Sequence, residues 1–286
     1  MLFFNSYQYK MDNERTQSTL DLYESNYNRI IENIGYDFTL DELLKHLEGL
    51  AANTQLSYIQ SIVITRELRS GDIFDYFIEL KKEIDTRTQG LTDKEKEIDF
   101  SWEKFKTTYN NMETGTLHHL IASLYYYLPP LRQSEYIKMK FVESRGKYGM
   151  NFKKMNEFNY YDSDKQTFTI TNSKTQRHFK KRVLDIPDKL NKIILSYNPT
   201  DVKSYDDKDY IFRRKLTTSN FTKILNKIFG DGVSVDILRK TYISSVVPTM
   251  NIYERKKLAT MMGHSLSSQM LTYDKNITNK TVLQYN

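Results

Sequence analysis

Residues 157–187, "EFNYYDSDKQTFTITNSKTQRHFKKRVLDIP", break the helical rhythm that runs through the rest of the chain. Within them "FNYYD", "TFTIT" and "RVLDI" are short runs rich in β-branched and aromatic residues, separated by polar turns, and they read as strands. Everything around them has the spacing of helices. The combination predicts a mainly α protein with one small antiparallel β-sheet, placed near the start of the second half.

Upstream, "TLDELLKHLEGL" (39–50) carries Thr39 and Glu42 in capping-box spacing and puts Leu40, Leu43, Leu44 and Leu47 on one face. "TQLSYIQSIVITREL" (54–68), "GDIFDYFIELKKEI" (71–84) and "TDKEKEIDFSWEKFKTTYNNM" (92–112) have the same periodicity, the last with Thr92 and Glu95 as a second capping box. Residues 1–35 are polar and mixed and give no pattern that assigns order. "METGT" (112–116) is the expected boundary. Beyond it "TLHHLIASLYYYL" (116–128) is apolar nearly all round, the pattern of a buried helix, and it stops at Pro129-Pro130. Helices resume with 188–197, 217–229, 234–247 and 252–262. The expected organisation is a leading segment (1–35), a helical domain (36–112) and an α+β domain (113–286) ending in the tail 276–286.

Composition excludes several chemistries. The chain has no cysteine, which removes disulfides, thiolate nucleophiles and Cys-ligated zinc. There is no Gly-rich phosphate loop, no HExxH and no paired-histidine spacing, and His118 and His119 fall on different faces of one helix. No metal or cofactor is expected. The opening "MLFFNSYQYK" has too short an apolar run for a signal peptide, and no stretch approaches the roughly 20 apolar residues of a membrane span. An intracellular protein is expected. The net charge of +6 is uneven: residues 1–112 hold 13 basic and 20 acidic side chains, residues 113–286 hold 29 and 16. The second half is the part suited to a polyanion.

Within that basic half stand five groups that could work together on a phosphodiester. Arg132 follows the Pro-Pro break. Lys174 lies in a polar turn after a strand. Arg239 lies within the amphipathic "ILRKTYISS". His264 follows Gly263 at a helix end, and Tyr273 comes nine residues later. If they converge, two guanidiniums grip the non-bridging oxygens and the imidazole adds a hydrogen bond. The lysine protonates a departing alkoxide and the tyrosine attacks phosphorus. Taken singly, each has a plainer reading: a helix-end or surface charge for the arginines, a C-terminal cap for His264. Tyr273 is one of 22 tyrosines, with Tyr242, Tyr253 and Tyr285 as competitors for the nucleophile.

The ordered set resembles the catalytic domain of the tyrosine recombinases, the phage-integrase family. "PPLRQSEYIKMKF" (129–141) resembles the first box, with Arg132 and Glu135. "TITNSKTQRHFKKRVLDIP" (169–187) resembles the β-hairpin whose turn carries the catalytic lysine, here Lys174. "DILRKTYISSVV" (236–247) resembles the H-x-x-R box and supplies Arg239. "LATMMGHSLSSQMLTYDK" (258–275) resembles the closing box, with His264 and Tyr273. The resemblance covers residues 113–275. Upstream, "LDELLKHLEGLAANTQLSYIQSIVITREL" (40–68) is similar to the opening of the family's core-binding domain. The pattern departs at Asp236, where the family has His or Lys; a carboxylate there suits orienting Arg239 or Lys240 better than acting as a base.

The resemblance implies a two-domain recombinase architecture that clamps double-stranded DNA, and a site-specific recombinase or integrase working through a 3′-phosphotyrosyl link. Tyr273 is then the nucleophile and Lys174 the acid. Arg132, Arg239 and His264 hold the phosphate, with Glu135 and Asp236 in support. It further implies a homo-tetramer on two DNA sites, needing neither metal nor ATP. A type IB topoisomerase or a non-catalytic DNA-binding relative fits the same residues. Heavy Asn, Lys, Ile and Tyr usage suggests an AT-rich genome, viral or mobile, which leaves bacterial cytoplasm, host nucleus and virion open as locations.

Overall fold

The computed structural model describes residues 17–87, 97–142, 158–175, 179, 181–199 and 209–270. The chain divides into two compact units, Met1–Gln89 and Gly90–Asn286. Among the described residues no helix is long and apolar enough to cross a membrane.

The first unit is helical: α1 (Gln17–Ile34), α2 (Leu40–His46), α3 (Ala52–Thr65) and α4 (Asp72–Arg87). The leading segment thus includes a long helix where the sequence pattern assigned no order. Tyr23, Tyr27 and Ile30 recur at spacings of four and three, so one face of α1 is buried while the rest is mostly polar, with Leu20 and Leu22 exposed. The Asn26 amide reaches the hydroxyls of Ser57 and Ser61 on α3 at 3.2 and 3.3 Å. Thr39 and Glu42 form the expected capping box at the start of α2. The two hydrogen bonds from Thr39 hold the Glu42 carboxyl below its ordinary value, backbone N–H first and hydroxyl second. Arg66 closes α3 by lying over Phe38, 4.3 Å from its ring centre, and donating to the Tyr27 hydroxyl at 3.0 Å.

Among the described residues the first helix of the second unit is α5 (Trp102–Asn110). Its start is set by Ser101, whose hydroxyl accepts from the Lys104 N–H at 3.1 Å. The expected cap at Thr92 and Glu95 lies outside the described residues. Aromatic packing assigns α5 to this unit: Trp102 stacks on Phe105 at 4.4 Å, Phe105 on Phe229 at 4.9 Å and Tyr109 on Tyr126 at 4.1 Å. The division therefore falls near residue 90 rather than at 112. Helices α6 (Leu117–Tyr127) and α7 (Gln133–Tyr136) follow, separated by the Pro129-Pro130 break, with α6 buried as its all-round apolar pattern requires.

Among the described residues the sheet has four strands in sequence order: β1 (Lys140–Val142), β2 (Tyr160–Asp162), β3 (Thr167–Ile170) and β4 (Arg182–Asp185). The three strands read from the sequence are present and pair antiparallel, with Tyr161 opposite Phe168 and Thr169 opposite Val183. The sheet as a whole is mixed, because β1 joins β2 in parallel, Lys140 opposite Tyr160. That strand is only three residues long, starts at the end of the first box and has no alternation of its own to reveal it. The chain continues through α8 (Asp188–Ser196), α9 (Thr218–Phe229), α10 (Val235–Val246), a 3₁₀ turn (Val247–Thr249), α11 (Ile252–Met261) and the short α12 (Leu266–Ser268). Tyr125, Tyr136, Tyr161 and Phe168 fill the core between helices and sheet, ring edge against ring face.

Candidate functional site

The site forms where α11 ends. The last carbonyls of a helix have no partner within it and must find one elsewhere. Gly263, at φ 69°, turns the chain so that the His264 N–H returns to the Ala259 carbonyl and the Gly263 N–H to that of Thr260, a Schellman closure. The next three carbonyls each accept from a different arginine. Arg182 Nη1 donates to Met261 O at 2.6 Å, Arg239 Nη2 to Met262 O at 3.1 Å and Arg132 Nη1 to Gly263 O at 2.9 Å. The negative end of the helix dipole thus gathers three cations from three separate elements.

Arg239 is fully buried on α10. It also donates to Pro130 O at 2.6 Å, and its Nη2 lies 2.7 Å from His264 Nδ1. A guanidinium has no acceptor to offer, so Nδ1 must be the acceptor and the imidazole proton resides on Nε2. Burial, then the charges of Arg239, Arg132 and Arg182, push the His264 pKa down to about 3. At neutral pH His264 is an uncharged donor held in one tautomer.

Glu135, fully buried at the end of α7, is the counter-charge. Its carboxylate accepts from Arg182 Nη2 at 2.5 Å and from the Arg132 backbone N–H at 3.1 Å, and lies 4.0 Å from Arg132 Nη1. Breaking one side of such a buried pair costs about 3–5 kcal/mol, because the remaining charge is stranded. One carboxylate against three guanidiniums leaves an excess of positive charge. The Arg132 side chain, 20% exposed, is the member of the cluster most open to an outside anion.

The structure brings Arg132, Glu135, Arg239 and His264 into one bonded cluster. Lys174 is exposed in the turn that follows β3, next to Thr175, whose hydroxyl donates to Gly263 O at 2.9 Å. Asp236 is exposed in the first turn of α10, one helical turn before Arg239. Tyr273 lies outside the described residues, as does Tyr285. Of the other competing tyrosines, Tyr242 packs edge-on against Trp102 at 5.0 Å, and burial raises its pKa. Tyr253 is exposed at the opposite end of α11 from His264, roughly 14 Å along the axis at 1.5 Å per residue.

Three residues of this site escaped the sequence reading. Arg182 had a signal: it is in phase with Leu184 and Ile186, both buried, while Val183 between them is exposed. An arginine on the core side of a strand needs a buried acid. Thr175 is one hydroxyl among many in its turn, and nothing in a single sequence marks it. Asn159 precedes β2, and its amide bonds to the backbone of both α7 and the β3 exit, which only the fold makes visible.

A cluster of this kind can hold a tetrahedral oxyanion through charge and hydrogen bonds. Among the described residues no group of three or more His, Asp or Glu side chains is placed to hold a metal ion. No protein-family model matches the chain, and no curated protein matches it by sequence. Among solved structures the fold is similar to a crystal structure of XerA recombinase, with a TM-score of 0.45 and 14% identity over 99% of this chain and 94% of that one.

Proposed function

We propose that the chain cuts and rejoins double-stranded DNA by transesterification at Tyr273. The tyrosine oxygen attacks the scissile phosphorus and loses its phenolic proton to water. The bond from phosphorus to the 5′-oxygen breaks, and Lys174 gives that oxygen its proton. Arg132, Arg239 and the Nε2–H of His264 stabilise the charge that builds on the non-bridging oxygens, and Glu135 holds Arg132 in place. The phosphotyrosyl link conserves the ester energy, so a second 5′-hydroxyl reverses the step. Exchange between two sites, by a tetramer, completes a recombination.

One observation carries the reading: guanidiniums from α7 and α10 and a neutral histidine from the α11 turn meet at one helix end, beside the turn that bears Lys174. The test is covalent trapping on nicked duplexes with a randomised centre, resolved under denaturing conditions. Wild type is expected to form a protein–DNA adduct and Tyr273→Phe none. Absence of a wild-type adduct, or an adduct with Tyr273→Phe, overturns the proposal. Relaxation of supercoiled DNA without site preference would assign the chemistry to a topoisomerase instead of a recombinase.

A further inference from the structure

We infer that Asn159 is a positioning residue for the leaving-group acid: it fixes the exit of β3 so that Lys174 meets the departing oxygen. The inference rests on the proposed strand transfer and adds to it a residue outside the recombinase motifs.

The geometry is complete on its own terms. Asn159 is 2% exposed, immediately before β2. A carboxamide offers two donors and one oxygen with two lone pairs. Asn159 uses all of them. Its Nδ2 donates to Glu135 O at 3.0 Å and to Asn172 O at 2.9 Å. Its Oδ1 accepts from the Thr171 N–H at 2.9 Å and the Asn172 N–H at 2.7 Å. One side chain therefore fastens the backbone two residues before Lys174 to the backbone three residues after Arg132. On the other side of Lys174, Thr175 is tied to Gly263 O. The turn is pinned at both shoulders, once to the element that carries Arg132 and once to the cap that carries His264. The Lys174 side chain itself is exposed, so its aim depends on the backbone beneath it.

No other residue of this size replaces those bonds. Aspartate keeps the acceptor but sets a carboxylate against two carbonyls. Leucine leaves four backbone groups unpaired. Neither change removes a side chain of the phosphate grip, and Arg132, Arg239 and His264 keep their own bonds to the end of α11, so the main consequence falls on proton delivery to the 5′-oxygen.

The test separates that role from a structural one by removing the need for the proton. With ordinary nicked duplexes, Asn159→Asp and Asn159→Leu are expected to form adduct about 10- to 100-fold more slowly than wild type, the scale of a small misplacement of a reacting group. With duplexes carrying sulfur at the bridging 5′-position, the phosphorus–sulfur bond breaks to a thiolate that needs no proton. On these the variants should recover to within a few-fold of wild type. Circular dichroism and DNA affinity of the full chain check that both variants are folded and bind. A variant that is folded yet equally slow on both substrates overturns the inference while leaving the strand-transfer reading intact. Wild-type rates from both variants on the ordinary substrate also overturn it. A wild type that forms no adduct overturns the reading and the inference together.

Discussion

Substituting Gly263 by alanine tests the arginine-capped helix end through stability alone. The backbone there sits at φ 69°, where an L side chain costs about 1–2 kcal/mol. The added Cβ would also lie 2.9 Å from Arg182 Nη1 and 3.0 Å from its Cζ. The guanidinium must then move, and it is held between Met261 O and the carboxylate of Glu135. A shift of a few tenths of an ångström strains both bonds, and complete loss of the pairing, at about 3–5 kcal/mol, is the upper limit of that further cost. The expected total therefore exceeds the backbone strain alone and stays below about 7 kcal/mol, against the ~5–15 kcal/mol that stabilises a typical domain. Gly115 is the control: its φ is 77° and a Cβ there would meet nothing within 4 Å. Gly115→Ala should therefore cost only the backbone strain of about 1–2 kcal/mol. Urea unfolding of the two full-length variants and wild type reads the difference directly, with the m-value confirming that the same surface is exposed. If Gly263→Ala loses no more stability than Gly115→Ala, Arg182 is not wedged against the turn as described and the capping argument fails.

Acidification should weaken the fold through His264. Its folded pKa of about 3 lies below the ordinary 6.5, so the unfolded chain takes up the proton first. The stability from this group is complete above pH 6.5 and drains as pH falls towards 3, with about 1.4 kcal/mol gone by pH 5.5. Wild type should lose that much more than His264→Asn between pH 7.5 and 5.5 in urea titrations, and equal losses would refute it. Removing the neighbouring charge with Arg239→Met should raise the His264 pKa, read from its imidazole resonances, and should cost roughly 2–6 kcal/mol for the two carbonyls left unpaired. An unmoved titration would mean that Arg239 does not face the ring. Duplex binding by the full chain should weaken steeply with added salt as phosphate contacts release counterions, and salt-insensitive affinity would count against DNA as the partner.

Much of the fold was legible because its signals are local. The all-round apolar 116–128 announced a buried helix, the Pro-Pro break ended it, and the change to period two located β2, β3 and β4. What was not legible depends on distant partners. Strand β1 exists because Lys140 meets Tyr160 across the sheet, and α5 joins the second unit because Phe105 meets Phe229. The same holds at the site. Arg132, Arg239 and His264 could be named from spacing and from the resemblance that spacing suggested. That they share one helix end follows from carbonyls 261, 262 and 263 each needing a donor, a requirement no linear pattern displays. Arg182 was the missed opportunity, since its phase with Leu184 and Ile186 already placed a cation on the core side of β4.

The central claim is that the cluster at the end of α11 acts on a phosphodiester rather than merely capping a helix. Arg132 decides it, being the guanidinium most open to an outside anion while Arg182 and Arg239 continue to hold the turn. The measurement is the single-turnover rate of adduct formation by Arg132→Ala on saturating nicked duplex. The account predicts a fall of about 10²–10³-fold, the scale of removing one transition-state donor, with the fold intact. A folded Arg132→Ala protein that forms adduct at the wild-type rate would contradict it.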